Sequence, residues 1–210
     1  MTVDKPLDDK PVIAKTPPGK LPAAQAPGPK VAKAAAPAKP TAIPFRMETA
    51  RLTLRCLGAR DLPAHMALRA DPQVRRFQSF PRRYGGLEAL SVFNWMQTHD
   101  PAKGGWFNLC VAEKGDDRHA GDIAVNATGK TALIGVSLER RAQRQGYATE
   151  ALEAFLPWLA SRGIKTFKAE IDARNERSIA LFTQRLGFTA DDSVLDGAVT
   201  VNRYSRPAKG

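Results

Sequence analysis

Polar and apolar residues alternate along residues 51–57, Arg-Leu-Thr-Leu-Arg-Cys-Leu, which is the period of a half-buried β-strand. Helical periods follow. In residues 58–77 Asp61 stands where a helix cap would, Leu62, Met66 and Leu68 are expected to face inward, and Asp71 with Pro72 breaks the helix. Residues 86–99 form a second amphipathic stretch, with Leu87, Leu90, Phe93, Trp95 and Met96 near one side. Three strand-like runs come next, at 106–113, 119–126 and 131–138, and the short polar turns between them predict an antiparallel meander. A helix over 148–163, a strand over 164–172, a helix over 176–188 running into a strand, and a last strand over 198–206 complete the pattern. The order β-α-α-β-β-β-α-β-α-β-β is that of an α+β domain.

No such period occurs in the first 45 residues, which hold ten of the 16 prolines and are otherwise rich in Ala, Lys and Gly. A segment of this kind cannot bury enough apolar surface to offset its ordering entropy. Residues 1–45 are therefore expected to be a disordered tail with polyproline II character, and residues 46–210 the folded domain. Seven lysines against three aspartates make the tail basic. It can act as a weak electrostatic arm toward RNA or another polyanion, or serve as a solubilising spacer.

Overall, 43% hydrophobic and 25% charged residues suffice for a core. The net charge of +11 admits an anionic partner: nucleic acid, a membrane surface or a phosphorylated cofactor. Cys56 and Cys110 both fall in strand-like runs, so two buried free thiols and a reducing compartment are expected rather than a disulfide framework. No uncharged apolar run reaches the roughly 18 residues of a membrane span, and the N-terminus lacks the apolar core of a signal peptide. The cytoplasm is the expected location, without a membrane partner. No spacing of Cys or His suggests a metal site.

The chemistry concentrates in residues 133–152, where a strand leads into a basic loop and then, at Gly146, into a long helix. A helix that starts at a glycine-containing loop offers unpaired N–H groups and the positive end of its dipole, both suited to phosphate. Arg140, Arg141 and Arg144 crowd the same loop and would add charge-assisted contacts to a pyrophosphate or ribose phosphate. A merely solvated basic helix entry carries the same residues.

The spacing Gln143, Gly146, Ala148 matches the QxxGxA form of the coenzyme A pyrophosphate loop, and on it the chain resembles the GCN5-related N-acetyltransferases (GNAT). Residues 47–55, 68–77 and 175–188 and the pair Gly121 and Asp122 are similar to the RimJ/RimL-type ribosomal-protein alanine acetyltransferases. The resemblance implies a three-layer α/β arrangement whose mixed, largely antiparallel sheet splays open between helices. It implies acetyl-CoA as cosubstrate, no metal, and an amine acceptor, either a protein N-terminus or a small molecule. Backbone groups of Val136, Ser137 and Leu138 would pair with the pantetheine arm, with the N–H of Leu138 polarising the thioester. Gln143, Arg144, Gln145, Gly146, Tyr147, Ala148 and Thr149 would hold the pyrophosphate. Asn175 would contact the pantetheine arm and Ser178 would stand near the sulfur. On residue chemistry alone, Asn175 is a helix cap and Ser178 a first-turn residue.

The sequence departs from that family at several points. Arg144 stands where relatives have a glycine, which a negative φ would tolerate. Leu133 replaces a glutamate that steers the amine. Residues 175–187 run one residue long, so either Phe182 or Thr183 takes the place of a tyrosine acid. Direct attack by a neutral amine needs only proximity and a polarised carbonyl; a base would add about 10²-fold. Asp122, Glu170, Asp172 and His119 are the candidates for it, while His65 and His99 are expected at the surface. The acceptor groove would lie between the two early helices, residues 78–86 and the last hairpin. There Arg75, Arg76, Arg82 and Arg83 either select an acidic acceptor or are ordinary surface arginines. The alternative function is a catalytically weak acyl-CoA-binding or ribosome/RNA-associated module of the same fold.

Overall fold

The computed structural model describes residues 44–78 and 85–208. The expected tail up to residue 43, and residues 79–84 with Arg82 and Arg83, lie outside the described residues. Among the described residues eight strands and five α-helices follow one another: β1 (Arg46–Glu48), β2 (Leu52–Cys56), α1 (Leu62–Ala70), α2 (Pro72–Arg75), α3 (Gly86–Met96), β3 (Gly105–Glu113), β4 (His119–Thr128), β5 (Thr131–Leu138), α4 (Tyr147–Ser161), β6 (Thr166–Asp172), α5 (Glu176–Ala180), β7 (Thr189–Asp196) and β8 (Val199–Pro207). Two of these, β1 and α2, are too short to show a period. Asp71 explains α2, because its carboxylate accepts from the Gln73 N–H at 2.8 Å and Pro72 opens the turn.

The strands form one sheet in the order β1-β2-β3-β4-β5-β6-β8-β7. Every neighbouring pair is antiparallel except β5 and β6, which run parallel from Thr131↔Thr166 to Leu133↔Lys168. The predicted meander is β3-β4-β5.

Helix α4 covers one face, packing Ala151, Leu152, Phe155, Leu156 and Leu159 among Leu52, Leu54, Leu109, Val111, Ile123 and Val125. On the other face Leu57, Cys110 and Ala112 meet Ala89 and Phe93 of α3. Because both faces are covered, β2 is buried throughout rather than half-buried. Its Arg55 is then a buried charge, and Asp61 answers it with two bonds of 2.7 and 2.9 Å. Asp61 is thus an ion-pair partner and makes no cap hydrogen bond to α1.

Other expectations are corrected in the same way. Helix α1 buries His65 and Leu68, whereas Met66 is only half-buried. Helix α3 buries Ala89, Phe93 and Met96, an i, i+4, i+7 stripe, and leaves Leu87 83% exposed. Phe45, the last residue of the expected tail, packs edge-on against Phe155 and Trp158 of α4. Cys56 and Cys110 are buried and free, as expected. Among the described residues no helix is long and apolar enough to cross a membrane.

Candidate functional site

The sheet opens where β5 and β6 stop pairing. Beyond Leu133 and Lys168, β5 continues along β4 to Leu138 while β6 continues along β8 to Asp172. Glu139 donates its N–H to the Ala120 carbonyl at 2.9 Å. Antiparallel ladders alternate, so the backbone groups of Ser137 also face β4, and those of Val136 and Leu138 turn into the opening. The Leu138 carbonyl accepts from Gln143 Nε2 at 3.0 Å, and its N–H points into the gap. At Gly121, opposite Leu138, a Cβ would lie 2.2 Å from the Ser137 oxygen. Only glycine permits this approach of β4 to β5.

The loop from Glu139 to Gly146 closes one end of the opening. Gly146 has φ 80° and Arg144 has φ 63°, so the negative φ that would tolerate a side chain at Arg144 is not the one adopted. A left-handed L-residue is disfavoured by about 1–2 kcal/mol. It is held here by bonds on either side: Gln143 to the Leu138 carbonyl, Gln145 Nε2 to the Arg141 carbonyl at 2.6 Å, and Arg51 Nη1 to the Gln145 carbonyl at 2.9 Å. Backbone bonds of α4 begin with Glu150 N–H to the Gly146 carbonyl at 3.0 Å, so the N–H groups of Tyr147, Ala148 and Thr149 lead the helix. Arg140 and Arg144 are exposed, and neither guanidinium has a protein partner among the described residues. Arg141 turns inward instead, bonding Glu139 and Glu113 at 2.8 Å each and the His119 carbonyl.

Thr49, Arg51 and Glu150 are structural residues of this corner that sequence reasoning missed. Glu150 accepts from Thr49 Oγ1 at 2.6 Å, from the Arg51 N–H at 2.8 Å and from Arg51 Nε at 2.7 Å. Arg51 also lies 4.8 Å over the Tyr147 ring. These bonds fasten the start of β2 to the first turn of α4.

Across the opening, Asn175 Oδ1 accepts from the Ser178 N–H at 3.2 Å, which is the capping arrangement. The extra residue between Asn175 and Gly187 is absorbed by a wide turn at Leu181–Arg185, closed by Leu186 N–H to the Leu181 carbonyl at 3.1 Å. Phe182 is buried edge-on against Phe188, with ring centroids 5.0 Å apart. The Thr183 hydroxyl donates to the Ile179 carbonyl at 2.8 Å. Neither can supply the acid of a tyrosine.

The base candidates are all engaged. Asp172 takes 2.7 and 2.9 Å bonds from the Arg174 guanidinium, which hold its carboxyl below its ordinary range, and the charge of Arg76 adds to this. Glu170 pairs with Arg203 at 3.3 Å. His65, expected at the surface, is fully buried because its ring bonds Asp122 at 2.6 Å. Burial pushes the Asp122 carboxyl up, yet His65 and His119 hold it well below the usual range. His99 is exposed and stacks on Trp95 at 4.0 Å.

His65 Nδ1, His119 Nε2 and an Asp122 oxygen lie within 4.8 Å of one another, a separation metal ligands could share. Arg69 Nε donates to His65 Nε2 at 2.9 Å, however, which leaves the Nδ1 proton to Asp122. The trio is a hydrogen-bonded cluster, and a metal would have to displace that proton.

The fold and the loop together are those of an acetyltransferase. The chain belongs to the GNAT family, whose acetyltransferase (GNAT) domain matches residues 51–189. It moves an acetyl group from acetyl-CoA to an amine. No curated protein matches it in sequence. Among solved structures it is similar to the Salmonella typhimurium acetyltransferase that modifies the N-terminal serine of 50S ribosomal protein L7/L12, at 23% identity and TM-score 0.62, over 77% of this chain and 97% of that one. A RimL ribosomal L7/L12 α-N-protein acetyltransferase in complex with coenzyme A is 21% identical, TM-score 0.66, over 78% and 98%. Spermidine N-acetyltransferase from Vibrio cholerae, with coenzyme A and spermine, is 16% identical, TM-score 0.63, over 75% and 95%.

Proposed function

We propose that the protein acetylates the α-amine of a protein N-terminus, using the parted strands β5 and β6 as its acetyl-CoA slot. The observation that carries this reading is the gap above Leu133 and Lys168, with the Leu138 N–H in its wall and the leading N–H groups of α4 at its head. In this arrangement Val136 and Leu138 pair with the pantetheine arm. The Leu138 N–H donates to the thioester carbonyl, where negative charge grows as the amine adds. Tyr147, Ala148 and Thr149 bind the pyrophosphate through backbone N–H groups, with Arg140 and Arg144 alongside. The neutral amine forms the new C–N bond, the C–S bond breaks, and the amine's surplus proton passes to water. The Ser178 hydroxyl stands to donate a hydrogen bond to the departing thiolate, which takes its proton from water.

A peptide acceptor is favoured over a polyamine by the charges at the end of β6. Asp172 and Glu170 are already paired with Arg174 and Arg203, so they offer a polycation no free carboxylate pair. We place this catalytic domain at residues 46–210, in the cytoplasm, with the basic tail making weak, salt-sensitive polyanion contacts.

Calorimetric titration with acetyl-CoA should give micromolar affinity, and thiol release should be faster with Ser- or Ala-initiated peptides than with spermidine. No binding would end the cofactor reading, and faster turnover of spermidine would overturn the acceptor. For Ser178→Ala we expect kcat to fall about tenfold with acetyl-CoA affinity retained. A wild-type kcat would return Ser178 to its helix-turn role.

A further inference from the structure

A chain of charged side chains runs beneath the loop, and no step above uses it. Arg69 Nε meets His65 Nε2 at 2.9 Å, His65 Nδ1 meets Asp122 Oδ2 at 2.6 Å, and Asp122 Oδ1 meets His119 Nε2 at 2.8 Å. His119 Nδ1 then meets Glu139 Oε1 at 2.8 Å, and Glu139 Oε2 accepts from Arg141 Nε at 2.8 Å. His65, His119 and Asp122 are 0%, 5% and 7% exposed, so water cannot replace a missing partner freely.

Counting protons fixes the charges. His65 accepts from Arg69 at Nε2 and donates to Asp122 from Nδ1. His119 has a carboxylate at each nitrogen, and both bonds form only when both nitrogens carry hydrogen. Burial alone would lower the pKa of this ring, but the hydrogen bonds and charges of Asp122 and Glu139 outweigh it and raise the pKa above its ordinary value.

We propose that doubly protonated His119 is a positioning residue for acetyl-CoA: through Glu139 and Arg141 it sets the shape of the 139–146 loop, so cofactor affinity depends on one buried proton. The inference rests on the reading of that loop as the pyrophosphate site.

The mechanical link is short. Glu139 is where β5 leaves the sheet, and its side chain bonds both His119 and Arg141. Arg141 reaches Glu113 of β3 and the His119 carbonyl, while its own carbonyl receives Gln145 from the far side of the loop. A neutral His119 can donate to only one of its two carboxylates. The other carboxylate loses one of its two donors and keeps only His65, for Asp122, or Arg141, for Glu139. The groups facing His119 are Asp122 of β4, Glu139 and Arg141 of the loop, and, through these, His65 and Arg69 of α1 and Glu113 of β3. Cys110 of β3, beside Asp122, stays a thiol because burial pushes its pKa up.

Because the folded pKa is raised, the stabilisation is complete below about pH 6.5 and is lost as pH rises through the raised value. The test is an acetyl-CoA titration of the full chain from pH 7 to pH 10, above the ionisation of the cofactor's own phosphate. Wild type should lose affinity by about tenfold across this range. His119→Gln should bind weakly at all pH, with the change falling on the KM for acetyl-CoA rather than on kcat. Imidazole ¹⁵N shifts of the wild type should show both His119 nitrogens protonated at pH 7, a readout that does not depend on the variant folding. A singly protonated ring, or an affinity that stays flat while the ring titrates, overturns the proposal with the loop reading intact. Absence of acetyl-CoA binding at every pH overturns both.

Discussion

Gly146→Trp is expected to abolish measurable acetyl-CoA binding, a loss of at least about 100-fold or 2.7 kcal/mol, while the fold survives. Gly146 caps α4 at φ 80°, and a Cβ there would already stand 3.4 Å from Arg51 Nη2. An indole added at this point lies in front of the N–H groups of Tyr147, Ala148 and Thr149, the groups assigned to the pyrophosphate. The left-handed φ adds about 1–2 kcal/mol of backbone strain. Gly146 is exposed, so this strain should lower the melting temperature by only a few degrees. Calorimetry and circular dichroism on the same sample separate the two effects. Affinity within threefold of wild type would show that the phosphates bind elsewhere.

The second large effect is expected at Gly121→Ala, which should destabilise the domain by about 3 kcal/mol or more. The added Cβ would lie 2.2 Å from the Ser137 oxygen and 2.8 Å from Leu138 Cα, both backbone atoms that cannot rotate away. Strand β4 must then move off β5 next to Asp122 and directly behind the Leu138 N–H. Thermal denaturation should show a fall of about 10 °C, at roughly 2–4 °C per kcal/mol for a domain of this size. The kcat of the folded fraction should fall too, since the Leu138 N–H is displaced. An unchanged melting temperature would mean that the two strands are not pressed together at this point.

These two glycines show how unevenly the site could be read. Gly146 belongs to a local pattern, strand then basic loop then helix, and its left-handed cap follows from the chain on either side of it. Gly121 lies within a strand, and its necessity comes from Ser137 and Leu138 on the neighbouring strand. The long residue count from Asn175 to Gly187 was visible, but its resolution as a wide turn at Leu181–Arg185 depends on burying Phe182 against Phe188. His65 reads as a surface residue from the chain around it, and the nearest acidic residue, Asp61, bonds Arg55 instead. The partner of His65, Asp122, is 57 positions away.

What the sequence determined by itself was local: the strand and helix periods, the basic Gly146 loop, and the motif that placed the chain among the acetyltransferases. Hydrophobic period and turn chemistry act between residues a few positions apart, so one chain read in order displays them. Tertiary structure alone decided the charge states and the geometry of approach. It paired Arg55 with Asp61, turned Arg141 away from the ligand side, set Arg144 at positive φ and enclosed His119 between two carboxylates. A buried charge must find its counter-charge wherever the fold brings one within about 3 Å, and that neighbour is chosen by the packing of the sheet and helices rather than by sequence order.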